Sequence, residues 1–210
     1  MDCITRAHIT GLVLAGGHSR RWGGVDKAWV QLNGRALVQH VCDRLAAQCA
    51  QVWVSANRDL ERYATLGRPV LADDWPDGRG PLAGMATAAR RLQTPWLLVA
   101  PVDTPGVPLD LAAQLADAAL RENRQLASVH DGERLQPAFL LLHRDLSDAL
   151  LKAVAGPIRR LGAWVQAQGP ALVDARTKGW VSALRGANDA TEFAVLAAVM
   201  KDRQEAGNGG

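Results

Sequence analysis

The sequence has little cysteine, little net charge and no long apolar run. Its three cysteines, Cys3, Cys42 and Cys49, have no metal-ligand spacing and leave an odd thiol, so a reducing cytoplasm is the simplest location. The formal net charge of +3 does not by itself indicate a nucleic-acid partner but suits a small anionic substrate. Because no run of about 18 apolar residues occurs, we expect no membrane-spanning helix. Residues 1–10 also lack the apolar core of a secretion signal.

Several signatures of common enzyme classes are missing as well. The chain contains no Gly-x-x-x-x-Gly-Lys-Ser/Thr phosphate loop, no Gly-x-Gly-x-x-Gly, no Gly-x-Ser-x-Gly and no His-Glu-x-x-His. The five histidines show no ligand spacing, and the seven tryptophans do not interleave with a basic stripe. These absences argue against the familiar nucleotide-loop, serine-hydrolase and zinc-protease sites, and they give little support to a nucleic-acid surface.

Apolar strand-like segments alternate with helical patterns along most of the chain. This order predicts a Rossmann-like, three-layer α/β/α domain, with a mostly parallel sheet and helices on both faces. We expect one domain over residues 1–203 and a disordered tail over 204–210. The predicted strands cover 10–15, 51–56, 69–72, 96–100, 127–130, 137–142, 171–174 and 180–184. The predicted helices cover 36–48, 60–66, 108–121, 147–155, 159–168 and a segment starting at Pro81, and Asp189 caps a last helix that contains Phe193 and Met200.

The first predicted strand opens into a loop that is rich in glycine and in positive charge. Glycine permits a positive φ and a close approach of a ligand to backbone N–H groups, while arginine and lysine add positive charge. This combination predicts a phosphate-binding loop; the alternative is a glycine turn with solvated arginines. The loop residues concerned are Gly16, Gly17, Arg21, Gly24 and Lys27.

Parallel sheets bind ligands at the carboxyl ends of their strands, and several polar residues follow predicted strands directly. Asp103 follows the strand over 96–100 and suits Mg²⁺, which prefers one or two carboxylates together with phosphate oxygens. Its alternative role is to cap a turn before Pro105. Asp73 and Asn57 are candidates for holding a ribose hydroxyl or a nucleobase, or they are solvated loop residues.

Two further features allow a binding role or an ordinary structural one. Gly80 to Gly84 predicts a helix start whose free N–H groups favour an anion or a polar base edge. The segment from 144 to 185 has a basic excess, in which Arg159 and Arg160 are candidates for binding a second anionic substrate. Solvated surface charge is the usual explanation for such an excess.

These motifs together resemble those of the molybdenum cofactor guanylyltransferases, the MobA family of nucleotidyltransferases. The resemblance rests on Leu-Ala-Gly-Gly-x-x-x-Arg-x-Gly-Gly-x-x-Lys over 14–27, and on 32–34, 56–58, Asp73, 80–84, 103–105, 130–134 and Pro137. It covers nearly the full chain and implies the fold of the nucleotide-diphospho-sugar transferases. It also implies GMP transfer from GTP to the terminal phosphate of Mo-molybdopterin, with release of pyrophosphate.

The resemblance also implies roles for individual residues. Lys27, Arg21 and Asp103 are expected to be catalytic, with Mg²⁺ on Asp103 and phosphate contacts from Arg21 and Gly24. The substrate-binding set is expected to comprise Leu14, Ala15, Gly16, Gly17, Gly24, Lys27, Ser55, Asn57, Asp73, Asp103, Arg159, Arg160 and Asn188. The chain departs from the family at Trp22, where Met is usual, and at Ser55, where Asn is usual. The stretch that matches the family's C-terminal Asn-x-Asn-Thr-Pro-Glu motif runs from Gly186 to Glu192, and only Asn188 of the motif survives in it.

The expected partners are small molecules, with molybdopterin-insertion proteins and molybdoenzyme apoproteins receiving the product. Two alternatives stay open at this point. A related nucleotidyltransferase could use CTP or a different acceptor, and a protein that binds GTP without catalysis could act as a regulator.

Overall fold

A seven-stranded sheet forms the middle layer of the structure. The structure is a computed structural model, and it describes residues 3–16, 26–75, 79–157, 160–186 and 193. The strands are β1 (Ile9–Leu14), β2 (Gln31–Leu32), β3 (Arg35–Ala36), β4 (Gln51–Ser55), β5 (Val70–Leu71), β6 (Trp96–Pro101), β7 (Leu126–His130), β8 (Leu135–His143) and β9 (Ala171–Asp174). Two of the strands, β2 and β3, form a separate hairpin outside this sheet. The helices are α1 (Leu37–Ala46), α2 (Leu60–Ala64), α3 (Pro81–Arg91), α4 (Leu111–Arg121), α5 (Ser147–Ala155) and α6 (Leu161–Ala167).

The strands of this sheet follow the order β5-β4-β1-β6-β8-β7-β9. Strand β1 pairs in parallel with both β4 and β6, and β5 and β9 are also parallel to their neighbours. In the described sheet, β8 alone runs antiparallel to its neighbours β6 and β7. The prediction of a mostly parallel sheet is therefore confirmed. The sequence pattern had not indicated the direction of β8.

Helices cover both faces of the sheet, as predicted. Alternate residues of a strand point to opposite faces, so Val13 and Leu98 pack on the side of α1 and α4. Leu12 and Leu97 point the other way and pack with α3, α5 and α6. Both faces are thus buried, which explains why β1 and β6 are mainly apolar without an alternation of polar residues. None of the helices in the described ranges is long and apolar enough to cross a lipid bilayer.

The predicted strand over 180–184 is wrong. These residues form a turn in which the N–H of Leu184 donates to the carbonyl of Trp180 at 3.0 Å. Trp180 and Leu184 are both buried in the core on the α1 and α4 side. Their separation of four residues is a helical spacing, which places both side chains on one face of the turn. The predicted C-terminal helix over 189–200 lies outside the described residues, except for Phe193.

A short hairpin between β2 and β3 was missed by the strand prediction. Asn33 and Gly34 connect the two strands, with φ values of 50° and 76°. A two-residue connection with positive φ at both positions is typical of the Asn-Gly pair, so this dipeptide was the available signal. The hairpin leads directly into α1, whose first residue, Leu37, donates its N–H to the carbonyl of Val30.

Helix α3 begins at the carboxyl end of the sheet, where it packs closely on β4. Gly80 caps the helix with φ 67° and ψ −157°, and Pro81 occupies its first turn as predicted. One turn further, a Cβ atom at Gly84 would lie 2.3 Å from Ser55 Oγ and 3.1 Å from Ser55 Cβ. The missing side chain at Gly84 therefore sets how closely the start of α3 approaches the end of β4.

Substitution Gly84→Ala is expected to lower the free energy of unfolding by about 1–3 kcal/mol, because the methyl group overlaps Ser55. Adding Ser55→Ala should recover part of this loss by removing Oγ. The matched control is Gly162→Ala in α6, where the new Cβ would meet Pro137 Cγ at an ordinary 3.6 Å. Urea denaturation of the four proteins checks this. Unchanged stability of Gly84→Ala, or no recovery with Ser55→Ala, would contradict it.

The turn between β7 and β8 is closed by the Asp131 carboxylate. Its Oδ1 accepts the backbone N–H groups of Glu133 and Arg134, each at 2.9 Å. These bonds, that of Arg134 first, lower the pKa of Asp131 to about 2. Because the pKa falls on folding, the resulting stabilisation is complete above the unfolded-state pKa of about 3.9 and is lost as pH falls towards 2.

The free energy of unfolding should therefore decrease as pH is lowered from about 4 to about 2. Substitution Asp131→Asn keeps an oxygen acceptor but removes the titrating carboxyl, so its stability should depend less steeply on pH in this window. Urea denaturation at several pH values measures both slopes. Equal slopes for the two proteins would show that Asp131 is not a source of the dependence.

Candidate functional site

The carboxyl ends of β5, β4, β1 and β6 lie side by side at one edge of the sheet. Residues that follow these strands therefore meet there, although they are distant in sequence. Neighbouring strands are about 4.8 Å apart, so the ends of β4 and β6 are separated by about 10 Å across β1. Two pairs of polar side chains occupy this edge, Lys27 with Asp103 and Asn57 with Asp73.

Lys27 and Asp103 form an ion pair beside the end of β1. The ammonium Nζ lies 3.0 Å from Oδ2 of Asp103, which follows β6. The side chains retain 13% and 29% of their exposure, so the pair is largely buried yet still open on one side. Lys27 begins a short 3₁₀ turn, Lys27–Trp29, which places its ammonium over the edge of the sheet. A cation and a carboxylate in contact here can neutralise phosphate oxygens and hold a divalent cation, respectively.

The C-terminal part of the described chain reaches the same pair. A Cβ atom at Gly186 would lie 3.2 Å from both Cγ and Oδ2 of Asp103, so the backbone of Gly186 packs against the carboxylate. Nearby, a Cβ at Gly106 would lie only 2.9 Å from the carbonyl oxygen of Ala183. The stretch that follows the Trp180 turn is thereby held next to Asp103. The sequence pattern had marked Gly186 only as a departure from the family motif.

Asn57 and Asp73 form a second, doubly hydrogen-bonded pair. Asn57 Nδ2 donates to Asp73 Oδ2 at 2.8 Å, and the backbone N–H of Asp73 donates to Asn57 Oδ1 at 2.8 Å. Gly16 lies against this pair, because a Cβ there would be 3.4 Å from Asn57 Nδ2. The glycine after β1 thus allows the first loop to approach the amide closely.

One carboxylate oxygen of Asp73 has no hydrogen-bond donor among the described residues. Oδ1 is buried and accepts no hydrogen bond from any residue that the structure describes. Burial raises the pKa of Asp73, the hydrogen bond from Asn57 opposes this shift, and the charge of Asp74 adds to it. A buried acceptor without a donor is costly in the isolated protein, so this atom suits a donor supplied by a ligand.

Its neighbour Asp74 has a structural role. Arg91 Nη2 lies 2.9 Å from Asp74 Oδ1, and Arg90 lies 3.3 Å from Oδ2. Thr87 Oγ1 accepts the backbone N–H of Asp74 at 3.0 Å. The hydrogen bond from Arg91 lowers the pKa of Asp74. The consecutive carboxylates therefore differ, since Asp74 fastens the loop to α3 and leaves Asp73 at the sheet edge.

The other predicted site residues do not belong to either of these polar pairs. Ala15 is buried and donates its N–H to the carbonyl of Ser55 at 2.8 Å, and Leu14 accepts the N–H of Val102. These bonds extend the pairing beyond the strand ends. Arg160 is exposed at the start of α6, and no contact among the described residues joins it to either polar pair. Gly17, Arg21, Gly24, Arg159 and Asn188 lie outside the described residues.

The described residues contain no cluster of three or more His, Cys, Asp or Glu side chains suited to a metal ion. Among the described residues, Asp103 is the carboxylate of this pair, and a divalent cation held there would take further ligands from phosphate oxygens and water. Mg²⁺ is commonly held in this manner, by one or two carboxylates plus phosphate oxygens.

Comparison with known proteins agrees with this architecture. Residues 11–172 match the family model described as a MobA-like NTP transferase domain. A molybdenum cofactor guanylyltransferase from Pasteurella multocida is 41% identical over 166 residues, which cover 79% of this chain and 88% of that protein. A guanylyltransferase of the same name from Bordetella pertussis is 40% identical over 174 residues, covering 81% of this chain and 88% of the relative.

Solved structures share the fold. Molybdopterin-guanine dinucleotide biosynthesis protein A from Archaeoglobus fulgidus superposes with a TM-score of 0.76 at 19% identity, covering 92% of this chain and 99% of that one. A 2-C-methyl-D-erythritol 4-phosphate cytidylyltransferase from Thermus thermophilus gives 0.66 at 19% identity, covering 90% and 98%. From the family model and the relatives of about 40% identity, the chain belongs to the MobA-like family of nucleotidyltransferases.

Proposed function

We propose that the protein transfers GMP from GTP to the terminal phosphate of Mo-molybdopterin, forming a guanine dinucleotide cofactor and releasing pyrophosphate. The observation that carries this proposal is the ion pair between Lys27 and Asp103 at the carboxyl end of β1 and β6. The names of the relatives at about 40% identity support the choice of donor and acceptor.

The reaction needs no general base. An oxygen of the acceptor phosphate attacks the α-phosphorus of GTP and forms the new P–O bond. The bond from the α-phosphorus to the bridging oxygen breaks, and its electron pair leaves with pyrophosphate. A terminal phosphate has a second pKa of about 6, so its attacking oxygen is already largely ionised near pH 7. The protein must therefore mainly hold two polyanions together and neutralise their charge.

Lys27 and Asp103 fit these requirements in different ways. The Lys27 ammonium would donate to phosphate oxygens of GTP, and Arg21 on the same loop would contribute a second cation. The Asp103 carboxylate would hold Mg²⁺, which supplies positive charge to the phosphate chain when it is bound. Burial of the pair strengthens such interactions relative to those of a fully exposed pair.

The Asn57 and Asp73 pair is proposed to bind the nucleoside part of GTP. Asp73 Oδ1 is a buried acceptor, and both the ribose hydroxyls and the guanine N–H groups are donors. Lying about 10 Å from the end of β6, the pair leaves room for a nucleotide to extend across the end of β1. Leu14, Ala15, Gly16, Gly17, Gly24 and Ser55 would line the same path. Arg159, Arg160 and Asn188 are proposed on the acceptor side.

Protein partners that insert or receive the cofactor, such as molybdopterin-insertion proteins and molybdoenzyme apoproteins, stay a prediction from the family resemblance. The single domain over 1–203, the tail over 204–210 and the cytoplasmic location stay predictions from the length and composition of the sequence.

Substitutions Lys27→Ala and Asp103→Ala are each expected to lower kcat/KM by about 10²–10³-fold, because each removes a charge that is oriented towards the phosphates. Pyrophosphate release from Mg²⁺-GTP in the presence of Mo-molybdopterin measures this, with CTP as the parallel donor. Lys152→Ala on α5 and Asp117→Ala on α4 remove exposed charges of the same types and should leave turnover unchanged.

Near-normal turnover of both the Lys27 and the Asp103 variants would contradict the proposed site. Equal turnover with CTP would instead contradict the choice of donor. Binding of GTP without pterin-dependent release of pyrophosphate would move the function to another acceptor or to a non-catalytic role.

Substitution Asp73→Asn should raise KM for GTP by about tenfold or more, with a smaller effect on kcat. The loss of a hydrogen bond to a buried charged acceptor is worth about 1–3 kcal/mol, and this acceptor lies away from the reacting phosphates. The neighbouring Asp74→Asn serves as the control, because Asp74 contacts Arg90 and Arg91 instead. It should lower stability and leave KM for GTP unchanged. Equal KM values for the two variants would refute the assignment of Asp73.

A further inference from the structure

The turn that contains Lys27 is held by a single carboxylate with two bonds. Asp26 Oδ1 accepts the backbone N–H of Ala28 at 3.0 Å and thereby caps the turn. Asp26 Oδ2 accepts the hydroxyl of Tyr63 at 2.7 Å. Lys27 lies between Asp26 and Ala28, so the orientation of this carboxylate is coupled to the backbone from which the Lys27 side chain extends.

Tyr63 is well suited to fix that carboxylate. It is 1% exposed in the core on the α1 side, and its ring therefore has a defined position. Burial and the bond to Asp26 raise the pKa of Tyr63 well above its usual range, so the hydroxyl stays a proton donor at neutral and mildly alkaline pH. The ring also contacts Trp29 at the other end of the turn, with centroids 5.2 Å apart.

The same cluster is closed by α2. The guanidinium of Arg62 lies 4.4 Å from the centre of the Trp29 ring. Arg62 and Tyr63 thus contact both ends of the Lys27 turn from one helix. Because α2 follows β4 and the loop with Asn57, this contact also links the turn to the neighbourhood of the second polar pair.

An ordinary core tyrosine would satisfy its hydroxyl on any nearby acceptor. Here the acceptor is the side chain that caps the turn immediately before the lysine, and not a backbone carbonyl of the core. We propose that Tyr63 is a positioning residue for Lys27, acting through the Asp26 carboxylate to aim the ammonium at the phosphate chain. This inference rests on the role assigned to Lys27 in the proposed function.

The first test compares two substitutions that each remove one largely buried hydroxyl and little else. Tyr63→Phe keeps the ring but loses the bond to Asp26. Thr10→Val, at the opposite end of β1, loses the bond between its Oγ1 and Thr94 Oγ1, which are 2.8 Å apart, and the bond that Gln51 Nε2 donates to the same oxygen at 3.2 Å. Only Tyr63→Phe is expected to lower kcat, by about tenfold, since displacements of about 1 Å at a catalytic group can cost about 10²-fold. Unchanged kcat in Tyr63→Phe would overturn the proposal.

The second test separates positioning from a general loss of stability. Tyr63→Phe is combined with Lys27→Gln, and both pyrophosphate release and equilibrium GTP binding are measured for the four proteins of the cycle. If Tyr63 acts through Lys27, its substitution should have little further effect once the ammonium is gone. A full tenfold loss in the Lys27→Gln background would show independent effects and would overturn the inference while leaving the proposed function intact.

Failure of the proposed function gives a different result. In that case Lys27→Gln alone leaves turnover unchanged, and this result would contradict both the proposed function and the inference about Tyr63. If Tyr63→Phe does not fold, Asp26→Ala breaks the same link from the partly exposed side and should show the same loss of kcat and the same coupling to Lys27. Normal kcat in Asp26→Ala would overturn the proposal.

Discussion

The parallel pairing of β1 with β4 and β6 is the constraint on which the rest of the structure depends. Parallel strands end at one edge, and this edge collects residues that the chain separates widely. Lys27 and Asp103 meet there across 76 positions of sequence. Helices cover both faces of β1, so the side chains that point to either face can be apolar and buried. The two buried cores therefore support the polar edge between them.

The three carboxylates near that edge, those of Asp73, Asp74 and Asp103, have different surroundings. Asp74 pairs with Arg90 and Arg91, whereas Asp73 is partly desolvated and its Oδ1 accepts no hydrogen bond from the described part of the chain. Asp103 is paired with Lys27 in a partly open position. A pair of this kind is weak evidence for stability, because desolvation offsets much of the attraction. Its position over the end of β1 fits the role proposed for both groups in binding a polyanionic substrate.

Glycine residues allow the backbone to pack closely around the polar side chains at the sheet edge. Gly84 lets α3 approach Ser55, Gly16 lets the first loop approach Asn57, and Gly186 lets the C-terminal stretch approach Asp103. Each of these positions is restricted by the space that a Cβ atom would need. Tyr63 supports the site differently, through a hydrogen bond from the core to the capping carboxylate of the Lys27 turn. Preorganisation here thus combines close backbone contacts with one buried hydroxyl.

Local sequence determined most of the elements and the fold class of this protein, because strand, helix and loop signals depend on nearby residues and on their periodicity. The family was indicated by the resemblance of particular motifs, above all the one over 14–27. It also named Lys27, Asp73 and Asp103 as site candidates. Tertiary structure decided which atoms meet. The contact of Tyr63 with Asp26, the separate roles of Asp73 and Asp74, and the burial of Trp180 in a turn instead of a strand all depend on packing between distant segments. Such contacts leave no periodic signal, since each is set by the shape and charge of elements that are remote in the chain.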